Sequence, residues 1–85
     1  MTKPHFTDCF KHFHGEEEEA AEVVHCLKKF GEQIYFDDNS GRLVMGREKY
    51  DPDQAEIMKS LSNALGITDR KSYEQADRKY NLTMY

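Results

Sequence analysis

Two short β-prone runs flank a cluster of turn-forming residues in the middle of the chain, and this pattern restricts the fold most. The runs cover residues 33–36 and 42–45, and Asp, Asn, Ser and Gly fill residues 37–41 between them. Such a pattern predicts a β-hairpin. Because an isolated two-stranded hairpin is only marginally stable in water, these strands must pack on helices or gain a third strand.

A loop over residues 38–41 sets the register of this hairpin. It places Phe36 opposite Leu43. It also places Ile34 opposite Met45, so that the four apolar side chains share one face. A slip of one residue would turn Leu43 and Met45 to the other face. We therefore predict that this face packs on the core and that the residues between them occupy the opposite face.

Four other segments carry apolar residues at the three- and four-residue spacing of a helix face. In residues 16–30, acids fill the first turn and lysines the last, which suits the helix dipole. The spacing in residues 4–14 favours a helix over a strand, although both stay open there. The predicted fold is a small single α+β domain over residues 1–85, in which a two-stranded antiparallel hairpin packs with three to four helices. The predicted helices cover residues 4–14, 16–30, 51–66 and a last segment that starts between 68 and 72, giving the order α-α-β-β-α-α.

The sequence Asp-Pro-Asp-Gln at residues 51–54 is typical of a helix start. Pro52 suits the first helical position, and Asp51 is expected to accept a backbone hydrogen bond as the N-cap. Replacing Asp51 with Ala is then expected to cost roughly 0.5–2 kcal/mol of stability. Gly66 followed by Ile67 predicts the end of the same helix.

Catalytic signatures are absent from the sequence. The five glycines are scattered, so there is no glycine-rich phosphate loop. There is also no Cys-x-x-Cys, His-Glu-x-x-His or Gly-x-Ser-x-Gly motif. A chain of 85 residues buries only a thin core and leaves little room for a concave ligand pocket. We predict a protein that is not an enzyme and has no cofactor.

The sequence lacks a membrane span and a secretion signal. No apolar run approaches the ~20 residues that a membrane-spanning helix needs, and the N-terminus lacks the apolar stretch of a signal peptide. We therefore predict a soluble cytoplasmic protein that does not contact membranes. In that reducing compartment Cys9 and Cys26 are expected to be free thiols.

All four histidines and both cysteines lie within residues 5–26. These are ligand types that zinc accepts. Their spacing matches no common zinc module, so we predict that no metal is bound. A small metal-binding protein stays a second alternative, with candidate ligands His5, Cys9, His12, His25 and Cys26.

Residues 57–80 resemble a helix-turn-helix motif. Apolar residues and a glycine lie where the first helix and the turn of that motif have them, and four basic residues would lie on the recognition helix: Arg70, Lys71, Arg78 and Lys79. However, Ser72 and Gln75 stand where the second helix should carry apolar residues. Acids interspersed with the basic residues also oppose binding to phosphates. A DNA-binding transcription regulator is therefore the first alternative function, and direct contact with nucleic acid is not the main prediction.

The negative charge is concentrated in one segment. The net charge of the chain is −4, and residues 16–41 hold eight acidic and two basic residues. Glu18 and Glu22 lie four residues apart on a predicted helix, where like charges are destabilising. This excess is easier to understand as an electrostatic surface for a basic partner. The predicted partner-binding residues are Glu16, Glu17, Glu18, Glu19, Glu22, Asp37 and Asp38.

These features together predict a small acidic binding protein that performs no chemistry. We expect a regulator or inhibitor that docks on a basic surface of a larger protein, such as an enzyme that handles nucleic acid. Small size, acidity and a lack of catalytic motifs are typical of inhibitors encoded by phages or mobile elements. A homodimer stays open, since a second copy can complete a thin core.

Overall fold

The computed structural model describes residues 5–83 of the 85-residue chain. Its elements confirm the predicted α+β class and the order α-α-β-β-α-α, the first helical segment being a short 3-10 helix. The predicted segment 4–14 is helical over Phe6–Phe10, and residue 4 lies outside the described residues. The remaining elements are helix α1 (Glu17–Lys29), strand β1 (Ile34–Asp37), strand β2 (Arg42–Met45), a second 3-10 helix (Gly46–Lys49), helix α2 (Asp53–Leu65) and helix α3 (Arg70–Tyr80).

The hairpin has the predicted register. Phe36 pairs with Leu43, and Ile34 pairs with Met45. Leu43 and Met45 are buried, as expected for the core face. On the opposite face Val44 is also buried, whereas Tyr35 is 48% exposed. Strand β2 is therefore covered on both faces, while β1 is covered on one.

The core lies between the inner face of the hairpin and helices α1 and α2. Phe30 is 42% exposed, although it continues the helical spacing of apolar residues in the segment 16–30, which predicts a buried position. It occupies the C-cap, one position beyond Lys29, the last residue of α1, so it lies at the open end of the helix. The buried core positions of the two helices are Ala20, Ala21, Val23, Val24 and Leu27 on α1 and Met58, Leu61 and Leu65 on α2.

A buried hydroxyl joins α2 to the hairpin. Ser62 is 1% exposed; its Oγ donates to the Met58 carbonyl at 2.9 Å and accepts the Leu43 N–H at 2.9 Å. The same helix ends as predicted at Gly66, whose φ of 73° is left-handed. The Ile67 N–H then closes back on the Ser62 carbonyl at 2.9 Å, and the buried Ile67 side chain seals the helix end.

The third helix is anchored on the hairpin. The Tyr73 ring stacks on the Phe36 ring with centroids 5.0 Å apart and an interplanar angle of 22°. Leu82, just after α3, is buried, and its carbonyl accepts a hydrogen bond from Lys28 of α1. Helix α3 and the segment after it therefore close against both the hairpin and α1.

The prediction that the Asp51 side chain accepts a backbone hydrogen bond at the start of α2 is wrong. The Asp51 carboxylate accepts a hydrogen bond from the side-chain amide of Gln54 at 3.1 Å, and it accepts none from a backbone N–H of residues 5–83. The backbone N–H of Gln54 bonds to the Asp51 carbonyl instead, also at 3.1 Å. A side-chain cap is found at the start of α3, where the Asp69 carboxylate accepts the Ser72 N–H at 2.8 Å.

We expect Asp69→Ala to lower the free energy of unfolding by roughly 0.5–2 kcal/mol, because it removes this side-chain cap. Asp51→Ala is the matched control at a helix start. It should lower the free energy of unfolding by less, since every backbone hydrogen bond there is kept. Urea unfolding of both variants measures the difference. A larger loss for Asp51→Ala would show that the two helix starts have been assigned the wrong way round.

Candidate functional site

Two of the predicted partner-binding acids stabilise the hairpin tip. The Asp37 carboxylate accepts the Ser40 hydroxyl at 2.7 Å, and this hydrogen bond lowers the pKa of Asp37. The Asp38 carboxylate accepts two hydrogen bonds from the Arg70 guanidinium, at 2.9 and 2.7 Å, which lower the pKa of Asp38. Both acids therefore have partners within the chain.

Two further acids serve the start of α1. One oxygen of Glu19 accepts the backbone N–H of His14 at 2.9 Å and that of Glu16 at 3.3 Å, which satisfies amides at the helix start. The Glu17 carboxylate lies 3.1 Å from the Lys79 ammonium of α3. Glu17 and Glu19 therefore also have partners within the chain.

The hairpin tip and the start of α1 do not form one acidic patch. Asp38 binds Arg70 at the first residue of α3, and Glu17 binds Lys79 near its last residue. Nine residues of helix separate these two contacts, which corresponds to about 14 Å along the axis. Asp37 and Asp38 therefore lie apart from the acids at the start of α1.

Two of the three remaining acids, Glu18 and Glu22, form what we call the acidic face, and the third, Glu16, is the N-cap residue of α1. All three are exposed, and none makes an ion pair within residues 5–83. Glu18 and Glu22 lie one turn apart on α1, where like charges weaken a helix. The acidic face is thus a part of the predicted site that makes no ion pair within residues 5–83.

A small cleft adjoins the acidic face, between the first 3-10 helix and α1. Its volume is about 290 Å³, just below the range typical of ligand pockets. Glu22 belongs to both the cleft and the acidic face, whereas Asp8, which also lines the cleft, is paired with Lys11 at 3.1 Å. The lining residues are Asp8, Cys9, His12, Phe13, Glu19, Glu22, Val23 and Cys26.

The two cysteines form a disulfide, so the prediction of free thiols is wrong. The first 3-10 helix packs beside α1 and brings the Cα atoms of Cys9 and Cys26 to 5.8 Å, which is the usual separation for a disulfide. The sequence could not show this, because the approach depends on how two helical segments pack. Neither sulfur is then available as a thiolate ligand for a metal.

Of the candidate metal ligands, Cys9, His12 and Cys26 line the same cleft, whereas His5 and His25 are not part of its lining. The His25 Nε2 donates to the Asn81 carbonyl at 3.3 Å, and the His5 Nδ1 lies 2.9 Å from the Thr7 hydroxyl. His12 lines the cleft beside the disulfide. Over residues 5–83 no group of three or more His, Cys, Asp or Glu side chains could hold a metal ion.

Within the described part of the chain, no helix has the length and apolar character needed to cross a membrane. The cytoplasmic location stays a prediction. A disulfide is more typical of proteins that fold in an oxidising compartment, so the cysteines no longer support that prediction.

The basic residues of α3 are only partly exposed to a partner. Arg70 and Lys79 are bound to Asp38 and Glu17, which leaves Lys71 and Arg78 as exposed bases of the proposed recognition helix. Gln75 is exposed, at a position where a helix-turn-helix motif packs an apolar side chain. Helix α3 thus presents a mixed-charge surface.

Two exposed aromatic residues were assigned no role from the sequence. Tyr35 is 48% exposed on the outer face of β1, and Tyr50 is 88% exposed before α2. Tyrosine is enriched at protein interfaces because its ring buries a large area while its hydroxyl stays solvated. For Tyr35 the sequence did carry a signal, since the hairpin register turns it away from the core.

No family model, curated protein or solved structure matches this chain. Its function is therefore inferred from the residues and their geometry alone.

Proposed function

We propose that this chain is a small acidic non-enzymatic binding protein, a regulator or inhibitor that docks its acidic face on a basic surface of a larger protein. The observation that carries the proposal is the pair Glu18 and Glu22, exposed one turn apart with no ion pair to any of residues 5–83. Enzymes that handle nucleic acid offer such basic surfaces, and they are the class of partner we favour. A cytoplasmic location and an origin in a phage or mobile element belong to the same proposal.

The fold does not account for these charges. Glu17 and Glu19 already supply negative charge at the start of α1, where it stabilises the helix dipole. Placing Glu22 one turn after Glu18 weakens the helix by about 0.2–0.5 kcal/mol. When a basic partner is bound, its positive charges neutralise both carboxylates, so the pair contributes to binding and no longer weakens the helix. Exposed charges of one sign also raise the rate at which an oppositely charged surface is met.

We expect the double substitution Glu18→Gln and Glu22→Gln to weaken partner binding by roughly two- to thirty-fold at physiological salt. The estimate assigns 0.2–1 kcal/mol to each lost exposed ion pair. Gln keeps the helix, since its helix propensity is close to that of Glu. The measurement is capture of a partner from nuclease-treated lysate of the organism that carries the gene, followed by titration with the captured protein.

The matched control is the double substitution Glu56→Gln and Glu74→Gln, which changes the net charge equally at exposed positions of α2 and α3. It should bind as the parent does. If both double variants lose the same affinity, net charge and not the acidic face governs binding. If neither loses affinity, the acidic face is only a solvated part of α1 and the proposal fails.

Two observations weigh against the alternatives. For DNA binding, two of the four basic residues on α3 are already paired with acids of the same chain. For metal binding, Cys9 and Cys26 are joined to each other. Nuclease treatment in the capture experiment separates direct protein binding from binding through nucleic acid.

A further inference from the structure

The two outer edges of the hairpin differ in how their backbone groups are satisfied. On the β2 side, the Leu43 N–H donates to the Ser62 Oγ at 2.9 Å, and the Leu43 carbonyl accepts from the Arg42 guanidinium at 2.9 Å. The Met45 N–H donates to the Glu48 carboxylate at 3.0 Å. Side chains of the same molecule therefore close this edge to another strand.

The β1 edge is open. The Gly46 N–H donates to the Gln33 carbonyl at 2.8 Å, which places Gln33 at a hydrogen-bonded pair of the ladder. Because such pairs alternate in antiparallel sheets, the backbone groups of Ile34 and Phe36 point away from β2. The backbone N–H and C=O groups of these two residues make no hydrogen bond to any of residues 5–83. An unpaired row of this kind is a template for another strand.

The sequence and surroundings of β1 do not protect this edge. Natural edge strands are commonly blocked by Lys, Pro or a bulge, and residues 33–37 contain none of these. Beside the strand lies an open groove of about 500 Å³, lined by residues 31–35 and by Lys28 of α1. Space for an additional strand therefore exists next to the unpaired groups of Ile34.

We propose that β1 pairs with β1 of a second copy of this chain, antiparallel and about a twofold axis at Tyr35. In this register Ile34 lies opposite Phe36 of the second copy, and the two exchange both backbone hydrogen bonds. Phe36 and Ile34 of the second copy form the symmetry-related pair and exchange two more, so four hydrogen bonds form in total. The two hairpins then become one four-stranded sheet.

The side chains facing each other in this register are compatible. Tyr35 meets Tyr35 of the second copy at a position without backbone bonds, where aromatic side chains approach most closely. Gln33 lies opposite Asp37, so no like charges meet within the paired strands. At the next position outward Glu32 faces Asp38, and each is already neutralised in its own chain, by Arg47 and Arg70. This self-complementarity favours a second copy over an unrelated strand. The proposal does not depend on the acidic face.

The experiment is sedimentation velocity of the purified oxidised protein over a wide concentration range. Amide hydrogen exchange is measured at the lowest and at the highest concentration. The parent should pass from monomer to dimer as the concentration rises, and exchange of the Ile34 and Phe36 amides should slow in parallel. Tyr35→Glu places two carboxylates opposite each other at the twofold axis. It should stay monomeric and keep the fast exchange at both residues.

Tyr50→Glu is the matched control, since it makes the same chemical change at an exposed tyrosine away from β1. It should dimerise as the parent does. A parent that stays monomeric at all concentrations overturns the proposal, as does a dimer in which Tyr35→Glu and Tyr50→Glu associate equally. The exchange measurement on the parent needs no variant. A dimer whose Ile34 and Phe36 amides exchange as fast as in the monomer also overturns it.

Discussion

Leu61→Ala is expected to lower the free energy of unfolding by about 2–5 kcal/mol, the usual cost of removing a buried leucine. Leu61 is 0% exposed and lies on α2 within the core formed with the hairpin and α1. A domain of this length is stabilised by roughly 0.05–0.15 kcal/mol per residue, so the loss removes much of the total stability. Urea unfolding followed by circular dichroism measures it.

Ile57→Ala on the same helix is the control for this substitution. Ile57 is only half-buried and packs at the margin of the core, so its truncation should cost clearly less. Equal losses for the two variants would mean that α2 does not present Leu61 to the centre of the core.

Reduction of the disulfide is expected to destabilise the protein by about 3 kcal/mol, the value for closing a loop of about 15 residues. Cys9 and Cys26 are separated by 17 residues and tie the first 3-10 helix to α1. Urea unfolding with and without a thiol reductant measures the change.

The double substitution Cys9→Ala and Cys26→Ala is the control for reduction. It should be about as stable as the reduced parent and should not respond to reductant. Two reactive thiols in unfolded protein that was purified without reductant would contradict the disulfide and restore the prediction of free cysteines.

The local features of the fold could be predicted from the sequence because they depend on spacing within short segments. The register of Phe36 with Leu43 follows from the turn length and the alternation of apolar residues. The end of α2 at Gly66 follows from the left-handed conformation that glycine adopts easily. In both cases the information lies within a few residues of the feature.

The features that the sequence did not show depend on contacts between distant residues. The Glu17–Lys79 and Asp38–Arg70 ion pairs join residues 62 and 32 positions apart and give two acids of the predicted site partners within the chain. The disulfide depends on the packing of one helical segment beside another. The burial of Val44 on the outer face of the hairpin likewise follows from tertiary packing, because alternation alone predicts an exposed position.

Contact of the acidic face with a basic partner is the central claim, and hydrogen exchange of the complex with the captured partner tests it most directly. Free and bound protein are compared over α1, the hairpin and α3. The predicted result is slower exchange concentrated in residues 16–22, with an affinity that falls as salt screens the charges. Slower exchange confined to α3 or the hairpin, with residues 16–22 unchanged, would contradict the claim.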